Sequence, residues 1–464
     1  MEKKVFDVVV IGAGPGGYTA AIRAAQRGKK TALIEEKELG GVCLNVGCIP
    51  TKAFVAGASR LRHIKEASKY AIKADIASFD FGAMVGRKDR IIQDMRKSLA
   101  TLIKKNQITI FQGRGSFTAP NEIKVLGKDA ALISTEHTII ASGSKPTDIA
   151  AFPCDHQRIL DSTSMLQLQK LPKNLIIIGG GYIGCEFSSL FREMGVDVTI
   201  IEMMDHILPG LPQNVASELQ AYFLRENIQI HCSTAVSSIT TEKTGVTVHL
   251  KGGKSLQAEY ALVAVGRSVL SQSIGLEKSG VMTGPRGEIL VDDHMQTSVD
   301  GIYAVGDVTA KGMLAHVASH QALVAADHIS NLPAKMEYHV IPAVVYTYPE
   351  IGVVGLSKEE ALEKGYNVIS GRYPYSALGK SITLTETEGF AEIIADAKTG
   401  AVLGAQSIGY DSANLIAEIA LAIKNELTLD CIIDTIHAHP SLAEVWLEAA
   451  LIAKNLPVNF PPKK

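Results

Sequence analysis

Hydrophobic and polar positions along the chain repeat the same order of elements twice. In each copy an apolar run predicts a buried strand, helical spacing predicts a helix, and a second apolar run predicts another strand. The copies start about 170 residues apart, far beyond the period of a solenoid. We therefore expect two βαβ units, each the core of an α/β domain. The predicted strand, helix and strand span residues 5–11, 16–27 and 31–35 in the first copy and 174–178, 185–194 and 198–202 in the second.

Shorter elements are predicted in the remaining sequence, and the pattern of predicted strands and helices changes after residue 342. Apolar pieces that end in glycine turns predict strands at 139–141, 263–267 and 301–307, and a helix is expected over 314–329. Further on, strand-like pieces precede a helix, which is typical of an α+β domain. These elements lie at 368–373, 389–396, 401–408 and 414–425, and a solvated tail is expected at 461–464.

Composition narrows the class of protein. The chain has 464 residues, 46% of them hydrophobic, and a net charge of −2, so we expect a globular chain of several domains. This charge balance gives no basic face for nucleic acid. The six cysteines are too few for a secreted disulfide scaffold, which favours a reducing, cytoplasmic location. No apolar segment of about 18 residues is evident, so no membrane span is expected.

A glycine-rich loop joins the strand to the helix in each copy; we call Gly12–Gly17 the first glycine loop and Gly179–Gly184 the second. In such a loop the first glycine makes a tight turn, the second lets the backbone approach a pyrophosphate, and the third permits close helix–strand packing. An acid follows each loop at the same offset, which favours two dinucleotide sites over two turns without a ligand. The residues concerned are Gly12, Gly14, Gly17 and Glu35 in the first copy and Gly179, Gly181, Gly184 and Glu202 in the second.

The acid of each copy is expected to bind the diol of a ribose. A carboxylate at Glu202 would repel a 2′-phosphate, and Met203 and Met204 follow it instead of an arginine. The second site should therefore prefer NAD over NADP.

Two cysteines, Cys43 and Cys48, follow the first glycine loop by about thirty residues. A helix is expected to begin near Pro50, and a helix N-terminus lowers the pKa of a thiol. The pair is therefore a candidate redox dithiol, because it can exchange with a substrate disulfide beside a dinucleotide. Two buried, inert thiols are the plainer alternative.

Several side chains have spacings that could ligate a metal. A zinc site at the cysteine pair is disfavoured, because no second closely spaced cysteine pair follows. His316 and His320 are four residues apart on a predicted helix, but packing roles are preferred for them. His437 and His439 lack a third ligand. No metal is therefore expected.

His439 and Glu444 form the last candidate pair. Glu444 follows His439 by five residues, past a proline turn and at the expected start of a helix. A carboxylate placed there can orient an imidazole, as in other pairs of a base and the group that orients it. An exposed histidine loop is the alternative.

Together these motifs resemble those of the FAD-dependent pyridine nucleotide-disulfide oxidoreductases, and within that family the dihydrolipoamide dehydrogenases. The resemblance implies that dihydrolipoamide on a carrier protein is oxidised to lipoamide while NAD⁺ is reduced. It also implies FAD on the first glycine loop and NAD on the second. The likeness covers nearly the whole chain and rests on residues 10–17, 41–52, 178–186, 263–267, 306–307 and 437–444.

The resemblance implies an α/β fold with two Rossmann-like domains, a central domain and an α+β C-terminal domain. It implies a homodimer in which His439 reaches the disulfide of the partner subunit. Lipoyl domains of 2-oxoacid dehydrogenase or glycine cleavage complexes would be the other partners. The implied ranges are 1–147 for FAD binding, 148–275 for NAD binding, 276–342 for the central domain and 343–464 for dimerisation.

Individual roles also follow from the resemblance. Cys48 should lie against the flavin, and Cys43 should be the exposed sulfur that exchanges with the substrate. Lys52 is expected near the flavin ring and paired with Glu186, while His439 should act as a base. The implied FAD contacts are Gly12, Gly14, Gly17, Glu35, Lys52, Gly115, Ser142, Gly143, Asp307, Met313, Leu314, Ala315 and His316; the implied NAD contacts are Gly179, Gly181, Gly184, Glu186, Glu202, Val236 and Gly266.

Two alternatives stay open. Another disulfide reductase of the same family would also need the cysteine pair, although glutathione-type reductases should have basic residues after the second acid for NADP. Mercuric and large thioredoxin reductases should have an extra C-terminal cysteine pair, which nothing beyond Cys431 supplies. A flavin- and NAD-binding scaffold subunit without turnover is the other alternative.

Overall fold

The first part of the chain builds most of a seven-stranded sheet in this computed structural model, which describes residues 3–75 and 78–462. Its elements are β1 (Lys3–Ile11), α1 (Pro15–Gln26), β2 (Thr31–Glu35), α2 (Gly41–Val46), α3 (Cys48–Lys65), a 3₁₀ turn (Ala67–Tyr70), α4 (Phe81–Lys105), β3 (Thr109–Gln112), β4 (Arg114–Ala119), β5 (Glu122–Leu126), β6 (Ala131–Ile140) and β7 (Ser144–Pro146). The strand order is β3-β2-β1-β6-β5-β4. Strands β3, β2, β1 and β6 are parallel, whereas β4, β5 and β6 pair antiparallel. Every residue from Val8 to Ile11 is buried: Val8 and Val10 share a hydrophobic cluster with α1, whereas Val9 and Ile11 share another with β4 and β5.

A second parallel sheet follows. Its region contains β8 (Ile159–Leu160), α5 (Ser162–Met165), β9 (Asn174–Ile178), α6 (Tyr182–Glu193), β10 (Asp197–Ile201), α7 (Gln213–Arg225), β11 (Gln229–His231), β12 (Val236–Thr241), β13 (Val246–Leu250), β14 (Ser255–Ala258), β15 (Tyr260–Val263) and β16 (Arg267–Val269). The parallel order is β11-β10-β9-β15-β8. Strands β12, β13 and β14 form a separate antiparallel sheet, and β16 pairs with β7 between the two regions. The unit β9-α6-β10 thus repeats β1-α1-β2, as the sequence predicted.

The next segment returns to the first sheet. It contains a 3₁₀ turn (Leu276–Lys278), β17 (Ile302–Ala304), a second 3₁₀ turn (Gly306–Thr309) and α8 (Ala315–Ile329). Strand β17 pairs parallel with β6 and so completes the seven strands. Helix α8 packs on α1 through small buried residues, among them Ala21, Ala24, Ala322 and Ala325. This packing holds the segment after β17 beside the first glycine loop.

The C-terminal part forms an antiparallel sheet covered by helices. It contains β18 (Ala343–Val345), β19 (Glu350–Gly355), α9 (Lys358–Glu363), β20 (Val368–Pro374), a 3₁₀ turn (Tyr375–Ala377), α10 (Gly379–Thr383), β21 (Phe390–Asp396), β22 (Val402–Gly409), α11 (Ser412–Lys424), α12 (Leu429–Asp434) and α13 (Glu444–Ala453). The order is β18-β19-β22-β21-β20. Trp446 of α13 is fully buried, and its Nε1 donates to the Leu415 carbonyl of α11 at 3.0 Å. Of the predicted solvated tail, residues 461–462 are exposed and 463–464 lie outside the described residues.

The predicted fold class is confirmed, with corrections to individual elements. The piece at 139–141 is the end of the ten-residue strand β6. The piece at 263–267 is wrong as a single strand, because β15 ends at Val263 and a turn with Gly266 at φ +115° precedes β16. The residue boundaries of the four implied domains stay a prediction.

One expectation about membranes needs correction. By length and composition, Gly41–Lys65 would suffice to cross a membrane. The backbone is interrupted at Gly47, with φ −145° and ψ −110°, which divides the stretch into α2 and α3. Phe54, Ala58 and Leu61 of α3 are buried in a hydrophobic cluster. Packing within the protein therefore accounts for part of the stretch, of whose most apolar window 28% is buried.

Candidate active site

A single large cleft joins both glycine loops to the cysteine pair. Its volume is about 2670 Å³, and its walls include Gly12, Gly179, Cys43 and Cys48. A pocket for one drug-sized ligand has about 300–1,000 Å³, so the cleft has room for two dinucleotides. The sequence-predicted residues that line it are Gly12, Gly14, Glu35, Cys43, Cys48, Lys52, Gly115, Ser142, Gly143, Gly179, Gly181, Glu186, Glu202, Val236, Gly266, Asp307, Met313, Leu314, Ala315 and His316.

The first glycine of each loop is required by the same close backbone contact. Gly12 has φ +97°, and a Cβ there would lie 2.4 Å from the Ala141 carbonyl oxygen. Gly179 has φ +105°, and its Cβ would lie 2.4 Å from the Ala264 carbonyl oxygen. The backbone at the end of β6 therefore contacts the first glycine loop in the same way as the backbone at the end of β15 contacts the second.

The third glycine packs each helix against its own loop. A Cβ at Gly17 would lie 1.8 Å from the Gly12 carbonyl oxygen, and a Cβ at Gly184 would lie 1.9 Å from that of Gly179. Neither Gly17 nor Gly184 is part of the cleft wall. Their function is therefore the helix–strand packing that the sequence motif predicts.

The middle glycine of each loop has no such protein contact. A Cβ at Gly181 would meet no atom within 4 Å, and a Cβ at Gly14 would only touch Gly41 Cα at 3.9 Å. Each of these glycines directly precedes a helix, α1 or α6, whose N-terminus no side chain caps. Free space and uncapped N–H groups at a helix N-terminus suit a pyrophosphate. The loops therefore fit the two dinucleotides that the sequence predicts.

Glu35 and Glu202 are held in the same way at the ends of β2 and β10. Glu35 accepts from the Ala13 N–H at 2.7 Å and the Lys37 N–H at 2.8 Å. Glu202 accepts from the Gly180 N–H at 2.6 Å and the Met204 N–H at 2.8 Å. Each carboxylate is thus fixed against its glycine loop, and its contact with a ribose stays a prediction of the sequence motif.

Two polar groups beyond the first loop also fit a ligand. Ser142 Oγ is buried and has no hydrogen-bond partner among the described residues, so the cleft must supply one. Asp307 accepts a hydrogen bond from Ser144 Oγ, and Arg267 Nε lies 3.8 Å from its carboxylate. Ser142 and Asp307 are both among the FAD contacts that the resemblance implies.

His316, one of the histidines weighed as a metal ligand and assigned a packing role instead, has a partner of another kind. His316 lines the cleft near the start of α8, and its Nε2 lies 2.9 Å from the Pro342 carbonyl oxygen. Within residues 3–75 and 78–462 no group of three or more potential metal-ligating side chains occurs.

The two cysteines lie on consecutive helices. Cys43 belongs to the short helix α2, and Cys48 is the first residue of α3, two residues before the predicted start at Pro50. Both are partly buried free thiols, close enough for each to shift the pKa of the other. Both cysteines are thus partly buried in the single chain, and the role of Cys43 as the exposed, exchanging sulfur stays a prediction.

The surroundings of the pair favour a thiolate at Cys48. The hydrogen bond from Cys43 lowers the pKa of Cys48 to about 7 against the opposing effect of burial, and the Lys52 charge contributes. The same shared hydrogen bond, together with burial, raises the pKa of Cys43. Cys48 is thus the first of the two thiols to lose its proton.

Lys52 lies one turn after Cys48 on α3 and pairs with Glu186 of α6. Its Nζ is 2.9 and 2.8 Å from the two Glu186 carboxylate oxygens. Tyr346, which the sequence reasoning missed, contacts both: its ring centroid is 4.2 Å from Lys52 Nζ, and its N–H donates to Glu186 at 3.0 Å. No short-range pattern identifies Tyr346, since it follows Glu186 by 160 residues.

His439 and Glu444 form a close pair away from the cleft wall. His439 Nδ1 lies 2.8 Å from Glu444 Oε1, and the Ser441 N–H donates to Glu444 Oε2 at 2.7 Å. The His439 side chain is 78% exposed in the single chain. The imidazole is therefore oriented by the carboxylate but free to meet a group outside its own chain.

Comparisons with known proteins agree with this geometry. Residues 6–322 match the family model described as pyridine nucleotide-disulphide oxidoreductase, and residues 341–450 match the dimerisation domain of that family. A dihydrolipoyl dehydrogenase of Chlamydia pneumoniae is 46% identical over 99% of both chains. One of Geobacillus stearothermophilus is 38% identical over 98% of both.

A solved structure has the same fold throughout. LpdA of Mycobacterium tuberculosis is 26% identical and superposes over 96% of this chain and 99% of that chain, with a TM-score of 0.91. The chain therefore belongs to the pyridine nucleotide-disulphide oxidoreductase family.

Proposed function

We propose that the chain is a dihydrolipoamide dehydrogenase, which oxidises dihydrolipoamide on a carrier protein and reduces NAD⁺. The main support is the position of Cys43 and Cys48: two free thiols lie in one cleft that is continuous with both glycine loops. A scaffold subunit would have no use for such a redox-poised pair. Relatives of nearly equal length carry the name of this activity.

The cofactors of the family are FAD and NAD, and the cleft offers a place for each. The first glycine loop, Glu35, Ser142 and Asp307 would hold FAD, whereas the second loop and Glu202 would hold NAD. A bound FAD would supply the two-electron and hydride-transfer chemistry that connects the dithiol to NAD⁺. Glu202 fixes the preference for NAD, because its carboxylate would repel the 2′-phosphate of NADP.

The thiol chemistry would proceed at Cys43. His439 of the partner subunit removes a proton from one substrate thiol, and the resulting thiolate attacks Cys43 Sγ of the enzyme disulfide. The bond between Cys43 and Cys48 breaks, and Cys48 leaves as a thiolate. The second substrate thiol then displaces Cys43, so lipoamide is released with its ring disulfide and the enzyme keeps both electrons as a dithiol.

The local chemistry supports this division of roles. A thiol of lower pKa leaves faster in disulfide exchange, and the pKa of Cys48 is lowered to about 7. Lys52 lies where its charge stabilises the leaving thiolate, and Glu186 holds Lys52. Glu444 orients His439 and would stabilise the imidazolium formed when His439 accepts the proton.

The proposed chemistry also has consequences for the oligomeric state, the partner proteins and the cellular compartment. The dimerisation domain supports a homodimer, and a cross-subunit base would make that dimer obligatory. The lipoyl group would arrive on a lipoyl domain of a 2-oxoacid dehydrogenase or glycine cleavage complex. A catalytic dithiol suits a reducing compartment, so we assign the protein to the cytoplasm.

The direct test is NAD⁺ reduction by dihydrolipoamide with purified, FAD-loaded protein and NADP⁺ as the paired control. We expect rapid turnover with NAD⁺ alone and its loss in Cys43→Ser. Absence of turnover in a flavin-loaded dimer would contradict the proposal and favour another disulfide substrate within the family. An unchanged rate in Cys43→Ser would contradict the thiol mechanism.

A further inference from the structure

Tyr346 connects the C-terminal sheet to the region around the cysteines. It directly follows β18, lines the cleft and lies against the Lys52–Glu186 pair. Strand β18 packs on α6, the helix that carries Glu186. Residues from three separate parts of the fold therefore meet at the Lys52 ammonium.

Two independent contacts tie Tyr346 to this pair. The Lys52 Nζ lies 4.2 Å from the centroid of the Tyr346 ring, well within the distance of about 6 Å for a cation–π interaction. The Tyr346 N–H donates to Glu186 Oε1 at 3.0 Å, and Glu186 is 9% exposed. The ammonium thus contacts both the carboxylate of Glu186 and the ring face of Tyr346.

The position of this ammonium affects Cys48 because the two residues share one face of α3. Residues four apart on a helix are neighbours, and the Lys52 charge lowers the pKa of Cys48. Burial raises the pKa of Tyr346, and the nearby Glu350, Glu186 and Cys48 add to that rise. The Tyr346 hydroxyl is therefore within electrostatic range of Cys48.

We propose that Tyr346 is a positioning residue: its ring holds the Lys52 ammonium beside Cys48 and thereby stabilises the Cys48 thiolate. The inference rests on the redox role proposed above for Cys48 and adds a residue to that site. The proposal concerns only the ring of Tyr346. The hydrogen bond to Glu186 comes from the backbone N–H and does not depend on the side chain at this position.

Other charged and ionisable groups also face the cysteine pair. Cys43 approaches from α2, Tyr18 from α1, Glu186 from α6 and Arg267 from β16. None of these is changed by a substitution at Tyr346. Loss of the ring has two opposing effects on Cys48: a displaced ammonium disfavours the thiolate, whereas admitted water favours it. The proposal requires the displaced ammonium to dominate, so the midpoint of Cys48 must rise when the ring is lost.

The test measures the thiolate of Cys48 without turnover. The Cys43→Ser protein, loaded with FAD and reduced, is alkylated with iodoacetamide over a range of pH, and mass spectrometry follows Cys48 alone. In that protein Tyr346→Leu should move the midpoint of alkylation upward by about half a pH unit, as expected for loss of a weak cation–π contact. Tyr346→Phe should restore the original midpoint, because it keeps the ring.

Two further variants make the result decisive. In a Lys52→Met protein, Tyr346→Leu should no longer raise the midpoint of Cys48, since no ammonium remains to be held and only the admitted water acts. Tyr366→Leu removes an exposed tyrosine elsewhere (40% exposed) and should have no effect. An unchanged or lowered midpoint in Tyr346→Leu, or an equal shift in the Lys52→Met protein, would overturn the proposal.

These outcomes are separate from those of the turnover test. A protein that fails to oxidise dihydrolipoamide can still show the Tyr346-dependent midpoint, which would refute the substrate but not the positioning role. Normal turnover with no change in the midpoint would refute only the role of Tyr346.

Discussion

His439 Nδ1 lies 2.8 Å from Glu444 Oε1, and the second carboxylate oxygen accepts from the Ser441 N–H at 2.7 Å. Burial would raise the pKa of Glu444, but the Ser441 N–H and His439 outweigh it, so the pKa is lowered. The carboxylate therefore stays ionised and holds the proton of the imidazole on Nδ1. The exposed Nε2 is left as the basic nitrogen.

Glu444→Gln should lower kcat for dihydrolipoamide oxidation, because the amide no longer fixes that tautomer or stabilises the imidazolium. His439→Gln should reduce kcat by about 10²–10⁴-fold, the usual contribution of a general base, and Glu444→Gln by less. Steady-state NADH formation measures both. Glu448→Gln is the control, since that residue lies on the same helix but bonds Asn459. Equal rates in Glu444→Gln and wild type would remove Glu444 from the mechanism.

The glycines of the second loop should separate folding from binding. Gly184→Ala places a Cβ 1.9 Å from the Gly179 carbonyl oxygen, and such overpacking should cost about 1–3 kcal/mol of stability. Gly181→Ala meets no atom within 4 Å and has φ −76°, so the melting temperature should stay unchanged. NAD affinity should nevertheless fall about tenfold, because the methyl group fills the space for the pyrophosphate. Thermal melts and calorimetric titration with NAD⁺ test both variants; unaltered NAD affinity in Gly181→Ala would contradict a phosphate at this loop.

A feature of this structure can be predicted from the sequence when the residues that determine it lie close together along the chain. Strands β1 and β9 are continuous apolar runs, and the glycine loops follow them at once, so local pattern suffices for both. Helix α4, with 25 residues, was missed, because Gly82 and Gly86 weaken the helical propensity of its first turns. The buried residues of α4 are also separated by many charged residues, which makes the apolar side of the helix hard to recognise.

Contacts between distant parts of the chain could not be predicted from local pattern. Glu186 follows Lys52 by 134 residues, and Tyr346 follows Glu186 by another 160. The Lys52–Glu186 pair was reached only through resemblance to known enzymes. Tyr346 belongs to no motif, and its position depends on how β18 packs against α6.

Glu202 should determine the choice of pyridine nucleotide. Glu202→Gln removes the charge that repels a 2′-phosphate, so the ratio of kcat/KM for NADP⁺ to that for NAD⁺ should rise about tenfold. Glu35 is the matched control, because it makes the same pair of backbone hydrogen bonds in the first copy. Glu35→Gln should leave the nucleotide ratio unchanged and loosen FAD instead. A constant ratio in Glu202→Gln would exclude Glu202 from the ribose site.

The hydrogen bond from Cys43 should set the pH at which Cys48 reacts. The pKa of Cys48 is lowered to about 7, so the thiolate forms as the pH rises through 7 and is lost below it. In the reduced protein, alkylation of Cys48 by iodoacetamide should therefore increase across this range. Cys43→Ala removes the donor and should move the midpoint to higher pH, whereas Cys43→Ser keeps a hydroxyl donor and should move it less. Identical midpoints in the alanine and serine variants would mean that burial and Lys52 dominate.

Mixing two inactive subunits should restore activity if His439 acts on the disulfide of its partner. The exposed side chain of His439 and its position away from the cleft wall both favour action across the dimer. In a heterodimer of His439→Gln and Cys43→Ser subunits, one site combines an intact cysteine pair with an intact histidine, and the other site has neither. Co-expression with two affinity tags yields this heterodimer, and its NAD⁺ reduction should reach about half the wild-type rate per dimer, as one of two sites functions. Both homodimeric variants serve as controls and should stay inactive. An inactive, correctly assembled heterodimer would place the base and the cysteines in the same subunit, because a site within one chain is broken in both partners.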